Sequence, residues 1–488
     1  MASRTVYVFG RFEIDAAARR LTRAGELVPM PDRHLGVLIE LVASPGSILS
    51  KDALIHAVWR DVAVTDNSLE QAISALRRVI GDDADGALSI QTVARQGYRF
   101  VGEVTRRAAR ATDEALDELL APHRAWVEGR AAIETLERDQ IVRARTAFER
   151  VLASAPDQPS ARVGLANACI LQFEMTRTDA RPDAAALSIA THHAREACRL
   201  SPDYAEAWAT LGFVLERTGH RIDALAASRR AITLEPDNWR HHLRLAYVSW
   251  GEERLREAHR TLALMPGFSL AHWLAATVHV ARSALAEAER ELLAGLAGQT
   301  SIGSVSKFSS VALHWLHGLL LMARGDDDAA LAAFERELTL EASGHLYARE
   351  CCANTWYAIG ALRCRRNDLD GARHAFQQAV QRVSQHRLAA LGLSALTQAG
   401  LKNASRHGVY AQRPGASRQL SIDFAFVAAA AFVNNGEATE AARIVDDALA
   451  AAAPGNAGWL LPIEPMLQVA ANAEIWAPAL ARLRTRAS

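Results

Sequence analysis

The stretch Ala205 to Asn238, AEAWATLGFVLERTGHRIDALAASRRAITLEPDN, and the later copies of its pattern constrain this chain more than any other feature. Its Trp208, Leu211, Gly212, Gly219, Ala224, Ala231 and Pro236 fall at offsets that recur. Val311 to Gly344 repeats them with Gly318, Gly325, Ala330 and Phe334. Ala353 to His386 does so with Trp356, Gly360, Ala372, Phe376 and Ala379, and Ile422 to Gly455 with Gly436, Ala441 and Ala448. Weaker copies begin near Ala125, Pro159, Trp239 and Ala271, and the one at Pro159 carries an insertion around Glu174 to Ala185. Each unit reads as two short helices that cannot bury their apolar faces alone, so roughly eight of them must stack into a superhelix. Small residues such as Gly212 and Ala224 let paired helices approach, while Trp208 or Phe376 fill the space to the next unit. The tryptophans are therefore assigned to the core.

The N-terminal hundred residues follow a different rule. In VTDNSLEQAISALRRVIGDD, Leu69, Ile73, Leu76 and Ile80 recur at helical spacing and line one face. The opposite face carries Asn67, Gln71, Ser74 and Arg78, with Arg77 beside it. The stretch LSIQTVARQGYRFVGEV then alternates apolar and polar residues and turns near Arg95-Gln96-Gly97, as a β-hairpin does. Upstream, Val6 to Pro29 is strand-rich, with Tyr7, Phe9, Phe12 and Ile14 spaced for a buried face and Ala24-Gly25 offering a turn. A helix is predicted from about Asp32 to Ala43, ended by Pro45-Gly46, and a second one is capped by Ser50 and carries Leu54, Ile55, Val58 and a core Trp59.

Helix, helix, polar-faced helix and hairpin stand in one order over residues 5 to 104, with TVARQGYRF at the hairpin. This segment resembles the winged-helix DNA-binding domain of OmpR/PhoB-type transcription regulators, here without a phosphoacceptor receiver domain before it. The region beyond resembles tetratricopeptide repeat proteins. Together they imply a mostly α chain: a small α+β winged-helix domain over 1–105, a linker over 106–120, and an all-α repeat superhelix over 121–488. Gly/Ser-rich or irregular breaks near 295–310 and 402–421 suggest subdivision, and Leu460 to Arg484 reads as a cap on the stack.

The resemblance implies sequence-specific binding of double-stranded DNA, with Gln71, Ser74 and Arg78 as base contacts in the major groove. Asn67 has two readings, a base contact or the cap of its own helix with Glu70 three residues on. Arg77 and Thr92 are expected to touch phosphates and Arg95 to enter the minor groove from the wing. Arg60 and Asp61, in the loop before the polar-faced helix, are either contacts to RNA polymerase or a solvated turn. Arg106, Arg107 and Arg110 belong to a solvated linker or lie on DNA backbone. The repeats would sense a small effector, or bind a peptide or partner protein in their concave groove, and a homodimer on paired half-sites is expected.

Charge tempers this reading. The chain is formally neutral, and residues 1 to 104 hold 12 Lys+Arg against 13 Asp+Glu, although phosphate contacts dominate DNA affinity. A second reading, a protein-interaction scaffold whose winged helix no longer reads DNA, draws on that neutrality. The N-terminus lacks a signal-peptide core and the best apolar runs, Val311 to Ala323 and Phe424 to Val433, fall short of a membrane span, so a soluble cytoplasmic protein is expected. The five cysteines lack CxxC spacing and read as buried packing residues. None of the three lysines stands in a P-loop, and Ser304-Val305-Ser306-Lys307 lacks the partner motifs of a serine-acylating enzyme. The pairs His314/His317, His192-His193 and His241-His242 lack a third zinc ligand. No enzyme, metal or cofactor is expected.

Overall fold

The computed structural model describes residues 5–59, 66–81, 89–108, 112–301, 310–397 and 421–488. The chain divides into two compact units, with the boundary between Arg124 and Ala125.

The first unit opens with the strands β1 (Thr5–Phe9), β2 (Phe12–Asp15), β3 (Arg20–Arg23) and β4 (Glu26–Leu27). The helices α1 (Asp32–Ala43), α2 (Lys51–Val58) and α3 (Asp66–Ile80) follow, then β5 (Ser89–Val93), β6 (Gly97–Val101) and β7 (Thr105–Ala108). The first four strands form an antiparallel meander, and β7 closes its other edge against β1, giving the order β4-β3-β2-β1-β7. Residues 106–108, assigned to a linker from the sequence, thus lie in a sheet. Arg106 is neither solvated spacer nor bare cation: its guanidinium donates to the Ala43 carbonyl at 2.7 Å and lies 5.3 Å from the Tyr7 ring centre.

The core of this unit forms where the apolar faces predicted by periodicity meet. Phe9, Phe12, Ile14, Leu38, Leu41, Leu54, Leu69, Leu76 and Phe100 are all buried. Phe9 meets Phe100 edge-on at 5.3 Å, which ties the meander to the β5–β6 hairpin. Ser50 caps α2 as expected, its hydroxyl accepting from the Ala53 amide at 3.1 Å, and Trp59 is buried.

The second unit is a run of helical hairpins. The C-terminal part of α4 (Thr112–Glu134) pairs with α5 (Arg138–Ser154), and α6 (Pro159–Thr176) with α7 (Ala184–Leu200). The pairs α8 (Ala205–Arg217) with α9 (Arg221–Leu234), α10 (Trp239–Val248) with α11 (Glu252–Leu264), and α12 (Ser269–Ala281) with α13 (Leu285–Ser301) come next. Then come α14 (Leu313–Arg324) with α15 (Asp327–Thr339), α16 (Ala348–Arg365) with α17 (Leu369–Arg382), the helix α18 (Arg387–Thr397), α19 (Ile422–Asn434) with α20 (Ala438–Ala451), and α21 (Ala473–Arg486). The first helices of neighbouring pairs also touch one another, which sets them on the inner side of the curve.

A glycine-on-phenylalanine contact holds three of the pairs among the described residues, α4 with α5, α14 with α15 and α16 with α17. A Cβ on Gly318 would stand 2.4 Å from the Phe334 ring, and one on Gly360 would stand 2.5 Å from Phe376. Gly212 is held as closely, with Ser228 Oγ 2.2 Å from its Cβ position. Trp208 departs from its core assignment: it is only partly buried, and its indole N–H donates to the Pro202 carbonyl at 2.7 Å. Four cysteines are buried and Cys364 partly so; all are free thiols, and burial pushes Cys169 up to about 11. The break read at 295–310 begins inside a helix, because α13 runs through Gly295 and Gly298 to bring it against Leu313 and Gly267. The remainder of that break, 302–309, and residues 402–420 lie outside the described residues, as does the Ser304–Lys307 motif.

Two long-range returns shape the unit. The insertion after α6 reaches across to α16: Arg177 pairs with Glu350 and Arg349 with Asp179, each at 2.5 Å, and the Tyr347 hydroxyl donates to Glu174 at 2.8 Å. Beside them, Leu346 N donates to Leu136 O at 2.8 Å. The C-terminal segment, expected to cap the stack, first runs back along the inner helices, and then α21 packs on α20. Trp459 packs 6.1 Å from Trp273 and 6.5 Å from Trp315, and Leu461, Ile463 and Leu467 are buried. Glu464 pairs with the Tyr357 hydroxyl, and burial pushes its carboxyl up to about 7. Finally α21 buries Trp476 completely, and Arg282 donates to Ala487 O at 2.9 Å. Along α12, α14 and α16 the inner face is therefore covered by the chain itself. Among the described residues no helix is long and apolar enough to cross a membrane.

Candidate nucleic-acid interface

The polar-faced helix is α3, and its two sides separate cleanly. Leu69, Ala72, Ile73, Leu76 and Ile80 are buried against α1 and the strands. Gln71, Ser74, Arg77 and Arg78 are exposed. The spacing of Gln71, Ser74 and Arg78 places them along one line on the outer face. Arg78 has no hydrogen-bond partner among the described residues, so its fork of donors faces solvent. Asn67 lies within α3, which begins at Asp66, and its side chain falls outside the described residues. Arg60 and Asp61 fall outside them too.

Arg77 and Thr92, both expected on phosphates, are brought together. The Arg77 Nε donates to the Ile90 carbonyl at 2.8 Å, and a terminal nitrogen donates to Thr92 Oγ1 at 2.7 Å. Arg77 thus fastens α3 to the first strand of the hairpin. The hairpin register sets Gln91 opposite Arg99, and Arg99 donates to the Gln91 side chain at 2.8 Å. That second tie was missed in the sequence, where the alternation of the strands and their Arg95-Gln96-Gly97 turn already implied the pairing.

The tip of the hairpin holds Arg95 with φ at 63°, exposed. Gly97 follows with φ at 137°, and a Cβ there would lie 2.0 Å from Leu49 O. Only glycine fits, because Tyr98 exchanges backbone hydrogen bonds with Leu49, both at 2.9 Å. The glycine of GYRF therefore presses the hairpin onto the loop before α2, while Tyr98 and Phe100 are buried beneath. The result is a rigid rim: a helix presenting amide, hydroxyl and guanidinium groups, and a hairpin presenting Arg95. Such groups read base edges from a helix in a major groove and phosphates beside it.

Residues 25–100 match the family described as "Transcriptional regulatory protein, C terminal". The chain is 39% identical over 80 residues to the transcriptional regulator HilA of Salmonella typhimurium, a match covering 16% of this chain and 14% of HilA. It thus spans only a small part of that relative's length. Among solved structures, the DNA-binding domain of Escherichia coli CadC is 28% identical, covering 21% of this chain and 98% of that one, with a TM-score of 0.20. A tetratricopeptide repeat protein from Parabacteroides merdae covers 56% of this chain and 99% of its own at 13% identity and a TM-score of 0.38. Residues 25–100 are accordingly a DNA-binding domain of the OmpR/PhoB type, followed in this chain by a region of helical repeats.

Proposed function

We propose that this protein regulates transcription by placing α3 in the major groove of a specific operator, with Gln71, Ser74 and Arg78 reading bases and Arg95 reaching the minor groove. The observation that carries this reading is the exposed row Gln71, Ser74 and Arg78 on a helix whose opposite side is fully buried. Asn67 is a further proposed base contact. Arg77 and Thr92 act through geometry, holding the wing at a fixed distance from α3, and the remaining donors of Arg77 are left for a phosphate. Arg60 and Asp61 are the proposed contacts to RNA polymerase. The repeat region serves as the sensor, partner-recruiting or oligomerisation module, and a homodimer in the cytoplasm occupies paired half-sites. The near balance of charge in residues 1–104 fits modest monomer affinity, which pairing would raise.

The test is selection of bound duplexes from a random pool by the full chain at two salt concentrations. Enrichment of one sequence motif, lost in Arg78→Ala, supports the reading. Enrichment unchanged in Arg78→Ala, or none at either salt, overturns it.

A further inference from the structure

On the inner side of the first pairs, α4, α6, α8 and α10 surround a cavity of about 130 Å³. Three guanidinium groups line it: Arg130, Arg240 and Arg244. Two have carboxylate partners within the wall, Arg130 with Glu206 at 3.4 Å and Arg240 with Glu134 at 3.2 Å. Arg244 has no carboxylate within ion-pair distance among the described residues. Its terminal nitrogen donates to Asn167 Oδ1 at 2.9 Å, and its plane lies 4.6 Å from the Phe213 ring centre.

The amide that holds Arg244 is itself built in. Asn167 is 6% exposed, and its Nδ2 donates at 3.0 Å to Thr210 Oγ1, a residue 1% exposed. Each link of this chain is hydrogen-bonded, and such a satisfied network inside the helix interfaces fixes the Arg244 guanidinium in one orientation. Burial lowers the pKa of Arg244, the direction of a charge without full compensation, yet a guanidinium stays protonated at neutral pH. The cavity thus carries three cations against two anions. The rest of its wall combines the apolar Trp126, Ile133 and Val163 with the hydroxyls of Ser160 and Tyr204.

We propose that this cavity binds a small organic anion, a carboxylate or phosphate monoester with a body of a few carbon atoms, whose charged group pairs with Arg244. By the measure on which one water needs roughly 10–15 Å³, the cavity is several waters in size, which admits such a molecule. Asn167 is a positioning residue that fixes the guanidinium plane through Thr210. The ligand would bridge α4, the helix next in sequence after the DNA-binding domain, to α6 and α10. The proposal gives the sensor role of the repeats a chemical address and rests on that reading only for its biological use.

Binding is therefore measured without DNA, on the full chain, by calorimetry and thermal unfolding. The probes are pyruvate, succinate, inorganic phosphate and glycerol 3-phosphate, with glycerol as the neutral control. The expected result is saturable one-to-one binding of at least one anion, with a rise in unfolding temperature that follows its concentration. Binding is lost in Arg244→Gln and partly kept in Arg244→Lys. Selectivity among the probes separates a carboxylate from a phosphate ligand. Ser160→Phe, at the cavity wall away from Arg244, blocks binding by volume and decides the matter if Arg244→Gln fails to fold. No saturation by any probe at millimolar concentration, or binding undiminished in Arg244→Gln or in Ser160→Phe, overturns the proposal. DNA selection by the same preparations is scored independently, so failure here leaves the operator reading standing.

Discussion

Arg77 of the polar-faced helix donates to the hydroxyl of Thr92 on the hairpin across 2.7 Å, and with a second bond to Ile90 O it ties the two elements together. A basic residue on a DNA-facing helix is easily read as a phosphate ligand, yet here its donors are partly spent inside the domain. Thr92→Val keeps the side-chain shape and deletes the acceptor. The expected outcome is a uniform loss of DNA affinity across sequences, with the preferred motif intact and a domain destabilised by about 1 kcal/mol. Arg78→Ala should instead relax the preference at one base position, with a cost of roughly 1–3 kcal/mol in discrimination. Fluorescence anisotropy against a panel of single-base operator variants separates the two patterns.

Gly97 is the tightest backbone position in the hairpin. Any side chain there meets Leu49 O and forces a left-handed backbone onto an L-residue. Gly97→Ala should break the Leu49–Tyr98 bridge and cost several kcal/mol, on the order of 3 or more. The check is a lowered first transition in thermal unfolding together with loss of DNA binding, while the helical repeats melt unchanged.

The glycine-phenylalanine contacts predict a specific coupling. Gly318→Ala overpacks Phe334 and should destabilise the repeat unit by about 1–3 kcal/mol. Adding Phe334→Leu in the same chain should recover part of that loss, since the smaller side chain vacates the space the new methyl needs. A double-mutant cycle in urea measures the interaction. Strict additivity would show that Phe334 is not what Gly318 accommodates.

Glu464 makes the return of the C-terminal segment sensitive to pH. Burial raises its carboxyl from 4.5 to about 7, so the folded chain keeps a proton that the unfolded chain has already released. Stability contributed by this segment is therefore greatest at acid pH and falls as pH rises between these two values. Hydrogen exchange of residues 459–469 should be slower at pH 5.5 than at pH 8 after correction for intrinsic rates (on the order of the shift in this one carboxyl). In Glu464→Gln that difference should vanish, because the amide stays neutral throughout while still meeting the Tyr357 hydroxyl.

Much of this protein is written locally in its sequence. The period of Leu69, Ile73, Leu76 and Ile80 sets the buried side of α3 and so the exposed side that carries Gln71, Ser74 and Arg78, because helical geometry alone relates them. The Ser50 cap and the turn before Gly97 are equally local. The units at Ala205 and Ile422 begin where the repeating glycines and alanines require, since only small residues let paired helices meet so closely.

What the sequence could not decide is where distant segments meet. No spacing announces that Arg77 spends its donors on Thr92, that Arg106 reaches Ala43 from a strand rather than a linker, or that the insertion at Arg177 and Asp179 exists to grip α16. Nor does it show that Trp459 to Leu467 doubles back over the inner helices, leaving the small polar cavity around Arg244 on the face of the earlier pairs. Those contacts join residues tens to hundreds of positions apart. Periodicity encodes which side of an element is apolar, while the partner that covers it is chosen only when the whole chain packs.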